Sequence, residues 1–273
     1  MWRYVRLISF LVVAIVGVPQ LHAGSNDKED WDSYKLRVFA AWFYTKPTGS
    51  LEAAGHNGII NFQHDFGLST YSTFTGKIDW KFTRKNHLFF AATPFYRSRQ
   101  FVVSRTIMFR GQTYTAGTAA SGELDVLALA PGYQYDIMRR KRGHLGIVAQ
   151  LDLFDVTGTI RSGALVSNGV FQAAKVSKGS LRAPIPVAGP DVRLYLLPNS
   201  SRLFVTGNVL GMYLFGYGNF ISTVETVGLT LMKHLSLRGG YQLGSRLQVN
   251  TGRSRTGLSL TQKGAIAGIE ASF

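Results

Sequence analysis

Two short stretches of the sequence carry residue types that catalysis can use. His234 and Ser236 form a His-x-Ser sequence, and His64 and Asp65 are neighbours in the chain. A serine nucleophile needs a histidine base and an acidic group that orients this base, but no acidic residue follows Ser236 before Glu270. Adjacent side chains of an extended chain point to opposite sides, so His64 and Asp65 do not make an acid–base pair. We therefore predict polar turn and loop positions here, no catalytic residue, and a protein that is not an enzyme.

The sequence also offers few residues that could bind a metal or a cofactor. The chain has no cysteine, and His56, His64, His87 and His144 show no spacing of two or four residues. The acidic residues just before the first predicted strand lack the glycine and the regular spacing of a calcium loop. We assign them to a flexible, solvated leader, and we predict no metal site and no cofactor. These acidic residues are Asp27, Glu29, Asp30 and Asp32.

The 273-residue chain has a formal net charge of +15, so nucleic acid is one partner to consider. The charged fraction of 16% is nevertheless well below the roughly 25% of a soluble domain. The export signal and the strand pattern described below exclude nucleic acid. We expect the basic excess, including the run Arg139–Arg142, to face outer-membrane lipid head groups and the phosphates of lipopolysaccharide.

The first residues have the order of a secretory signal peptide. Arg3 and Arg6 form a basic region, an apolar run extends from Leu7 to Val18, and Pro19 interrupts it before Ala23. An apolar run of this length is too short to cross a bilayer as a helix. We predict a signal peptide at 1–23, a flexible periplasmic leader at 24–33 and a barrel domain at 34–273. A retained anchor helix is the alternative for the first segment.

The rest of the chain alternates with a period of two residues, which is typical of strands with one apolar and one polar face. In the segment 74–83, for example, Phe74, Ile78 and Trp80 share one face, whereas Lys77 and Asp79 lie on the other. The same alternation recurs along the chain, with small or polar residues opposite large apolar ones. In a membrane barrel the polar face lines the lumen and the apolar face contacts lipid.

Short polar connectors alternate with longer segments rich in Gly, Ser and Thr, which is typical of outer-membrane barrels. We predict an all-β, antiparallel transmembrane barrel of about ten strands, and eight or twelve strands remain open. Long loops are predicted at 46–71, 98–121 and 159–183, of which the last two can extend hairpins above the membrane. The predicted strands lie near 34–46, 72–83, 87–97, 122–137, 144–158, 184–197, 201–216, 219–232, 235–248 and 258–273.

The end of the chain carries a more specific feature. Phe273, Ala271 and Ile269 share one face of the last predicted strand. A terminal strand that ends in Phe resembles the assembly signal of bacterial outer-membrane barrels, so the resemblance implies the barrel-assembly machinery as a partner during insertion.

Four further stretches look like a group of Gram-negative outer-membrane β-barrel proteins without assigned activity. They cover most of the chain after the signal peptide, with loosely spaced residues. The resemblance implies fold and location in the outer membrane rather than chemistry, since a fold does not determine a function. The stretches are 58–68, the strand with Trp80, 109–117 and 132–136.

The predicted inner face of the barrel carries both signs of charge. The residues assigned to the lumen are Lys35, Arg37, Lys77, Asp79, Lys81, Asp152, Asp191, Arg193, Arg238 and Glu270. A mutually paired network would satisfy these buried charges. The alternative is a narrow, weakly anion-favouring path lined by Lys77, Lys81 and Arg193.

These patterns predict a non-enzymatic integral outer-membrane protein, either structural or a narrow passive channel for small, possibly anionic solutes. Two other functions stay open at this stage. One is a barrel enzyme that acts on lipid or protein at the outer membrane, and the other is surface binding or adhesion through the long extracellular loops.

Overall fold

A computed structural model describes residues 31–52, 59–61, 63, 70–104, 106–109, 112–163, 165–167, 170–172, 174–214, 218–251 and 256–273. The predicted signal peptide at 1–23 and most of the predicted leader at 24–33 lie outside these residues. His56, His64 and Asp65 lie outside them as well.

Ten strands form the wall of a barrel. They are β1 (Leu36–Glu52), β3 (Tyr71–Lys81), β4 (Asn86–Val102), β7 (Ala119–Arg140), β8 (Gly143–Ser162), β11 (Lys175–Tyr195), β12 (Leu203–Leu214), β13 (Gly218–Met232), β14 (Leu235–Thr251) and β15 (Thr256–Ser272). Five strands of three residues each add to them, namely β2 (Ile59–Asn61), β5 (Ile107–Phe109), β6 (Gln112–Tyr114), β9 (Leu165–Ser167) and β10 (Val170–Gln172).

Each wall strand pairs in antiparallel fashion with its neighbours, and β15 pairs with β1 to close the barrel. The last pairs of this seam join Arg37 to Ser272 and Val38 to Ala271. Closure gives the backbone of every wall strand a hydrogen-bond partner on both sides, which an open sheet cannot do in lipid. The predicted all-β antiparallel barrel of ten strands is therefore confirmed.

The two ends of the barrel differ in their connections. At one end, here called the short-turn end, the connections 82–85, 141–142, 196–202 and 233–234 join the strands. Gly143 begins β8 there with a φ of 133°, and a side chain at this position would collide with the carbonyl oxygen of Arg193. Only glycine fits both the conformation and the close approach.

At the opposite end, here called the long-strand end, several strands are much longer than a membrane requires. The strands β7, β8 and β11 have 22, 20 and 21 residues, whereas about 9–11 residues cross a bilayer. The predicted loops at 46–71, 98–121 and 159–183 are thus partly wrong, because paired wall strands extend into each range. They occupy 46–52, 98–102, 119–121, 159–162 and 175–183. Segments of a strand that lie outside a bilayer need no apolar face. The two-residue alternation of apolar and polar side chains therefore fades there.

The outer face of the wall carries an apolar belt. Exposed side chains alternate with buried ones along the strands, as at Trp42, Trp80, Ile147, Leu229 and Ile269, each of which is 46–52% exposed. An apolar outer surface of this extent is the feature that lipid solvates in a membrane barrel. Within the described residues, no helix has the length and apolar character needed to cross a membrane.

Candidate functional site

The inner face of the barrel is polar at the short-turn end, and Glu270 of β15 lies at the centre of this region. Its carboxylate accepts hydrogen bonds from Arg193 at 2.7 Å and from Arg238 at 2.8 Å. Arg37 approaches the same carboxylate at 3.5 Å. Only 1% of Glu270 is exposed, so three guanidinium groups surround a fully buried anion.

The pair of Arg193 and Glu270 crosses the interior. Arg193 lies on β11, which is separated from β15 by β12, β13 and β14, and stands opposite β1 in the closed order of strands. A contact of 2.7 Å between these side chains therefore bridges opposite walls at this level.

Asp32 joins the same network from outside the wall, because it precedes β1. Its carboxylate forms ion pairs with Arg37, with His144 at 2.7 Å and with Arg193 at 3.4 Å. Its backbone carbonyl accepts hydrogen bonds from Lys81 at 2.8 Å and from Arg139 at 2.7 Å. One residue thus contacts side chains of β1, β3, β7, β8 and β11.

The position of Asp32 determines its charge state. Burial by itself raises the pKa of this carboxyl group, but Arg37, Lys81 and His144 hold the pKa well below its usual range. Asp32 is therefore ionised at neutral pH. The prediction of a flexible, solvated position for Asp32 is wrong: this residue is 1% exposed, because cations from distant parts of the chain converge on it.

Two histidines each lie between two carboxylates. The imidazole of His87 lies 3.2 Å from Asp79 and 3.0 Å from Asp136, and it is fully buried. The imidazole of His144 lies between Asp32 and Asp191, the latter at 3.1 Å. Each imidazole therefore has a carboxylate oxygen next to both of its ring nitrogens.

Neutral side chains tie the two histidines together. Gln134 Nε2 donates to Asp136 at 2.9 Å and lies 3.1 Å from His144 Nε2. Tyr34 donates its hydroxyl to Asp79 at 2.8 Å, and burial raises the pKa of this phenol well above its usual value. The phenol of Tyr34 therefore stays protonated and acts as a donor.

The network balances its own charge. Besides the two histidines, five acidic and five basic side chains take part, so nearly every charge has an opposite charge in contact with it. A buried charge without such a partner would be costly. The acidic members are Asp32, Asp79, Asp136, Asp191 and Glu270, and the basic members are Arg37, Lys81, Arg139, Arg193 and Arg238.

Aromatic rings lie over two of the guanidinium groups that donate to Glu270. Arg193 lies 3.8 Å from the ring centroid of Phe204, and Arg238 lies 4.4 Å from that of Phe39. Gly228 faces Phe204 across the strand pair, and a side chain there would occupy the position of the ring. The absence of a side chain at Gly228 leaves space for the ring of Phe204 over Arg193.

An apolar cluster fills the interior next to this network, towards the long-strand end. Its members share the inner face with the charged residues, and none is more than 6% exposed. They are Phe89, Val148, Ile185, Val187, Leu210 and Phe220. Lys77 lies 4.1 Å from the ring centroid of Phe89, and Asp152 accepts a hydrogen bond from Gln150 at 2.7 Å. The interior thus holds a polar layer and an apolar layer.

Seven of the ten residues assigned to the lumen from sequence lie in the ion-pair network: Arg37, Asp79, Lys81, Asp191, Arg193, Arg238 and Glu270. Lys77 and Asp152 lie beside the apolar cluster. Lys35 is half-buried just before β1, where its backbone nitrogen donates to Phe273 at 2.6 Å.

The structure also shows network members that the sequence analysis missed, including His87, Asp136, Arg139 and His144. The two-residue alternation offered a signal for two of them, since Asp136 continues the face of Gln134, and His144 that of Val148. Arg139 was placed in a lipid-facing basic run, but its guanidinium binds Asp136 at 3.1 Å and is 4% exposed.

The residues considered for catalysis do not form a catalytic pair. His234 contacts the carbonyl oxygen of Ser272 at 2.7 Å and stacks on Phe273, whereas Ser236 donates to Thr230 at 3.2 Å. Within the described residues no cluster of His, Asp and Glu has the geometry of a metal site. Phe273 itself joins the seam through its backbone, with its nitrogen 2.8 Å from the carbonyl oxygen of Leu36.

Solved structures of similar shape are membrane barrels. The outer-membrane protease OmpT from Escherichia coli is 11% identical, with a TM-score of 0.55, over 88% of this chain and 98% of that one. The fold is that of an outer-membrane β-barrel. Ail of Yersinia pestis, in complex with sucrose octasulfate, is 8% identical, with a TM-score of 0.38, over 86% of this chain and 99% of that one.

The toluene transporter TodX of Pseudomonas putida is 9% identical, with a TM-score of 0.37, over 96% of this chain and 93% of that one. No protein-family model and no curated protein sequence matches this chain. At 11% identity, the likeness to OmpT extends to the fold alone.

Proposed function

We propose that this protein is a non-enzymatic integral protein of the Gram-negative outer membrane, with a sealed barrel that has a structural role and presents its long strands at the cell surface. The observation that carries the proposal is the contact between Arg193 and Glu270 across the interior. Asp32 lies beside this contact and pairs with Arg193 as well. Paired side chains therefore fill the short-turn end of the barrel.

The orientation follows from the connections. Outer-membrane barrels have short turns in the periplasm and long loops outside, so the short-turn end is the periplasmic end in this proposal. The strands β7, β8 and β11 then extend beyond the outer leaflet and form a paired wall at the surface. Tyr114 of β6 supports this wall, since its hydroxyl donates to Ser177 at 2.8 Å.

A non-enzymatic role is supported by the location of the histidines. His87 and His144 are 0% and 4% exposed, so no substrate reaches them in this conformation. They have the acidic neighbours that acid–base catalysis uses, but these neighbours hold them in a network of ion pairs. This arrangement holds the wall strands together and does not leave the histidines free to act on a substrate.

A gated narrow channel is the second candidate, and one observation favours it. Asp32 belongs to the segment before β1 and not to the wall. A displacement of this segment would remove one anion and expose Arg37, Arg193 and Lys81 to a path through the short-turn end. Such a path would favour anions.

Conductance of the refolded protein in a planar bilayer distinguishes the two candidates. We expect the wild type to be silent after heat-modifiable gel migration has confirmed folding. The double variant Arg193→Ala/Glu270→Ala removes the bridge and its charges together, and we expect it to leak. The matched control Arg161→Ala/Glu123→Ala removes an exposed pair on the outer wall and should stay silent. Discrete, anion-selective steps from the wild type would contradict the sealed barrel and support the channel.

A further inference from the structure

An unusual pair of lysines lies on the outer wall, where β1 and β15 close the barrel. Lys46 and Lys263 stand directly opposite each other in the register of these strands, and both are exposed. Side chains that face each other across an antiparallel pair lie about 5 Å apart at their Cβ atoms, and like charges in this position repel. The wall thus places two positive charges where they destabilise each other.

Among the side chains that the structure describes, no carboxylate compensates for this repulsion. Among the ion pairs of the described residues, neither Lys46 nor Lys263 has an acidic partner, whereas the exposed Arg161 and Arg182 pair with Glu123 and Asp155. The lysine pair is therefore an exposed concentration of positive charge.

The height of the pair on the wall indicates what faces it. On β1 the outward positions run from Trp42 through Tyr44 to Lys46, with the two aromatic residues 46% and 56% exposed. Trp and Tyr concentrate at the interface between hydrocarbon and head groups. Lys46 and Lys263 follow immediately towards the long-strand end, which is the level of the lipid head groups.

Hydroxyl groups continue the same outward ladder. Thr48 and Thr261 stand opposite each other two residues beyond the lysines and are half-buried. The two ammonium groups can only donate hydrogen bonds, and the hydroxyl groups behind them can donate as well. A phosphate supplies acceptor oxygens and negative charge together.

We propose that Lys46 and Lys263 bind a phosphate group of lipopolysaccharide in the outer leaflet, on the outside of the seam between β1 and β15. This inference rests on the proposed outer-membrane orientation, which places the long-strand end in that leaflet. Binding brings the anion between the two lysines and converts their repulsion into a shared ion pair. The seam that closes the barrel is thereby held from outside by a lipid.

The test measures retention of lipid A by the refolded, detergent-solubilised protein in native mass spectrometry, with dephosphorylated lipid A as the second probe. The wild type should prefer the phosphorylated form by about tenfold, since each lysine near an anionic group contributes to binding. Lys46→Gln/Lys263→Gln should abolish this preference. The control Lys85→Gln/Lys233→Gln makes the same charge change on exposed lysines of the short-turn end and should keep it.

Three outcomes would overturn the proposal: equal retention of both lipids by the wild type, an unchanged preference in Lys46→Gln/Lys263→Gln, or an equal loss in the control. Thermal unfolding in lipid-free detergent adds a second readout. There, Lys46→Gln/Lys263→Gln should be at least as stable as the wild type, because it relieves repulsion, and a loss of stability would show that the lysines serve the fold itself. Conductance is measured separately, so failure here does not imply failure of the sealed barrel.

Discussion

At the scale of single residues, Glu270 matters most because three guanidinium groups depend on it. Arg193 and Arg238 donate to its two oxygens at 2.7 and 2.8 Å, and both Glu270 and Arg193 are nearly excluded from solvent. Removing one partner from a buried ionic cluster leaves uncompensated charge, which costs more than the pair itself contributes.

We therefore expect Glu270→Gln to lower the free energy of unfolding by about 3 kcal/mol. Unfolding in urea, followed by heat-modifiable gel migration, measures the change. The control Glu123→Gln alters a half-exposed carboxylate that pairs with Arg161 at 3.4 Å, and its effect should stay below about 1 kcal/mol. Equal effects of the two variants would contradict a buried ionic centre.

Asp32 gives a prediction about pH. Its pKa in the folded protein is well below the usual value, because Arg37, Lys81 and His144 outweigh the effect of burial. A group with a lowered pKa stabilises the fold fully above its unfolded pKa of about 4, and this contribution is lost as the pH falls through the folded pKa. The difference in unfolding free energy between the wild type and Asp32→Asn should thus stay constant from pH 7 to about pH 5 and shrink in stronger acid. A difference that shrinks between pH 7 and pH 5 would contradict the account.

At the scale of elements, the wall strands divide into a part within the apolar belt and a part beyond it. The first part was predictable, since the alternation around Trp80, Ile147 and Leu237 depends on a single outward face. The second part was not, because outward positions beyond the belt face water and need no apolar side chain, as at the exposed Lys178 and Ser180. The inward Ser177 next to Lys178 is buried but polar. The predicted strand at 184–197 accordingly begins at Lys175 in the structure.

The extended part of the hairpin β8–β11 should be dispensable for folding. Thr157 and Ser180 face each other in the register, so residues 158–179 can be replaced by Asn-Gly, which forms a two-residue hairpin turn. We expect this variant to insert and to keep heat-modifiable migration, because the residues of the belt and the ion-pair network are untouched. A variant that fails to fold would show that the extended wall, including the contact of Tyr114 with Ser177, stabilises the barrel itself.

At the scale of the whole molecule, the barrel separates two kinds of surface and fills its interior with two layers. Seven of the charges assigned to the lumen could be predicted because they share the face opposite the aromatic residues. Their partners could not, since Asp32 and His144 are 112 residues apart in the chain and meet only when the barrel closes. The network pairs five anions with five cations, and this arrangement is the physical basis of the seal that we propose.

Access of a water-soluble thiol reagent to the interior tests the seal most directly. The chain has no cysteine, so Thr226→Cys places a single thiol on the inner face beside Arg238, at a position that is 3% exposed. We predict that this thiol does not react in the folded protein and reacts once Arg193→Ala and Glu270→Ala are added. The exposed control Ser98→Cys should react rapidly in both backgrounds. If Thr226→Cys alone reacts as fast as Ser98→Cys, the interior is open to water and the sealed barrel is wrong.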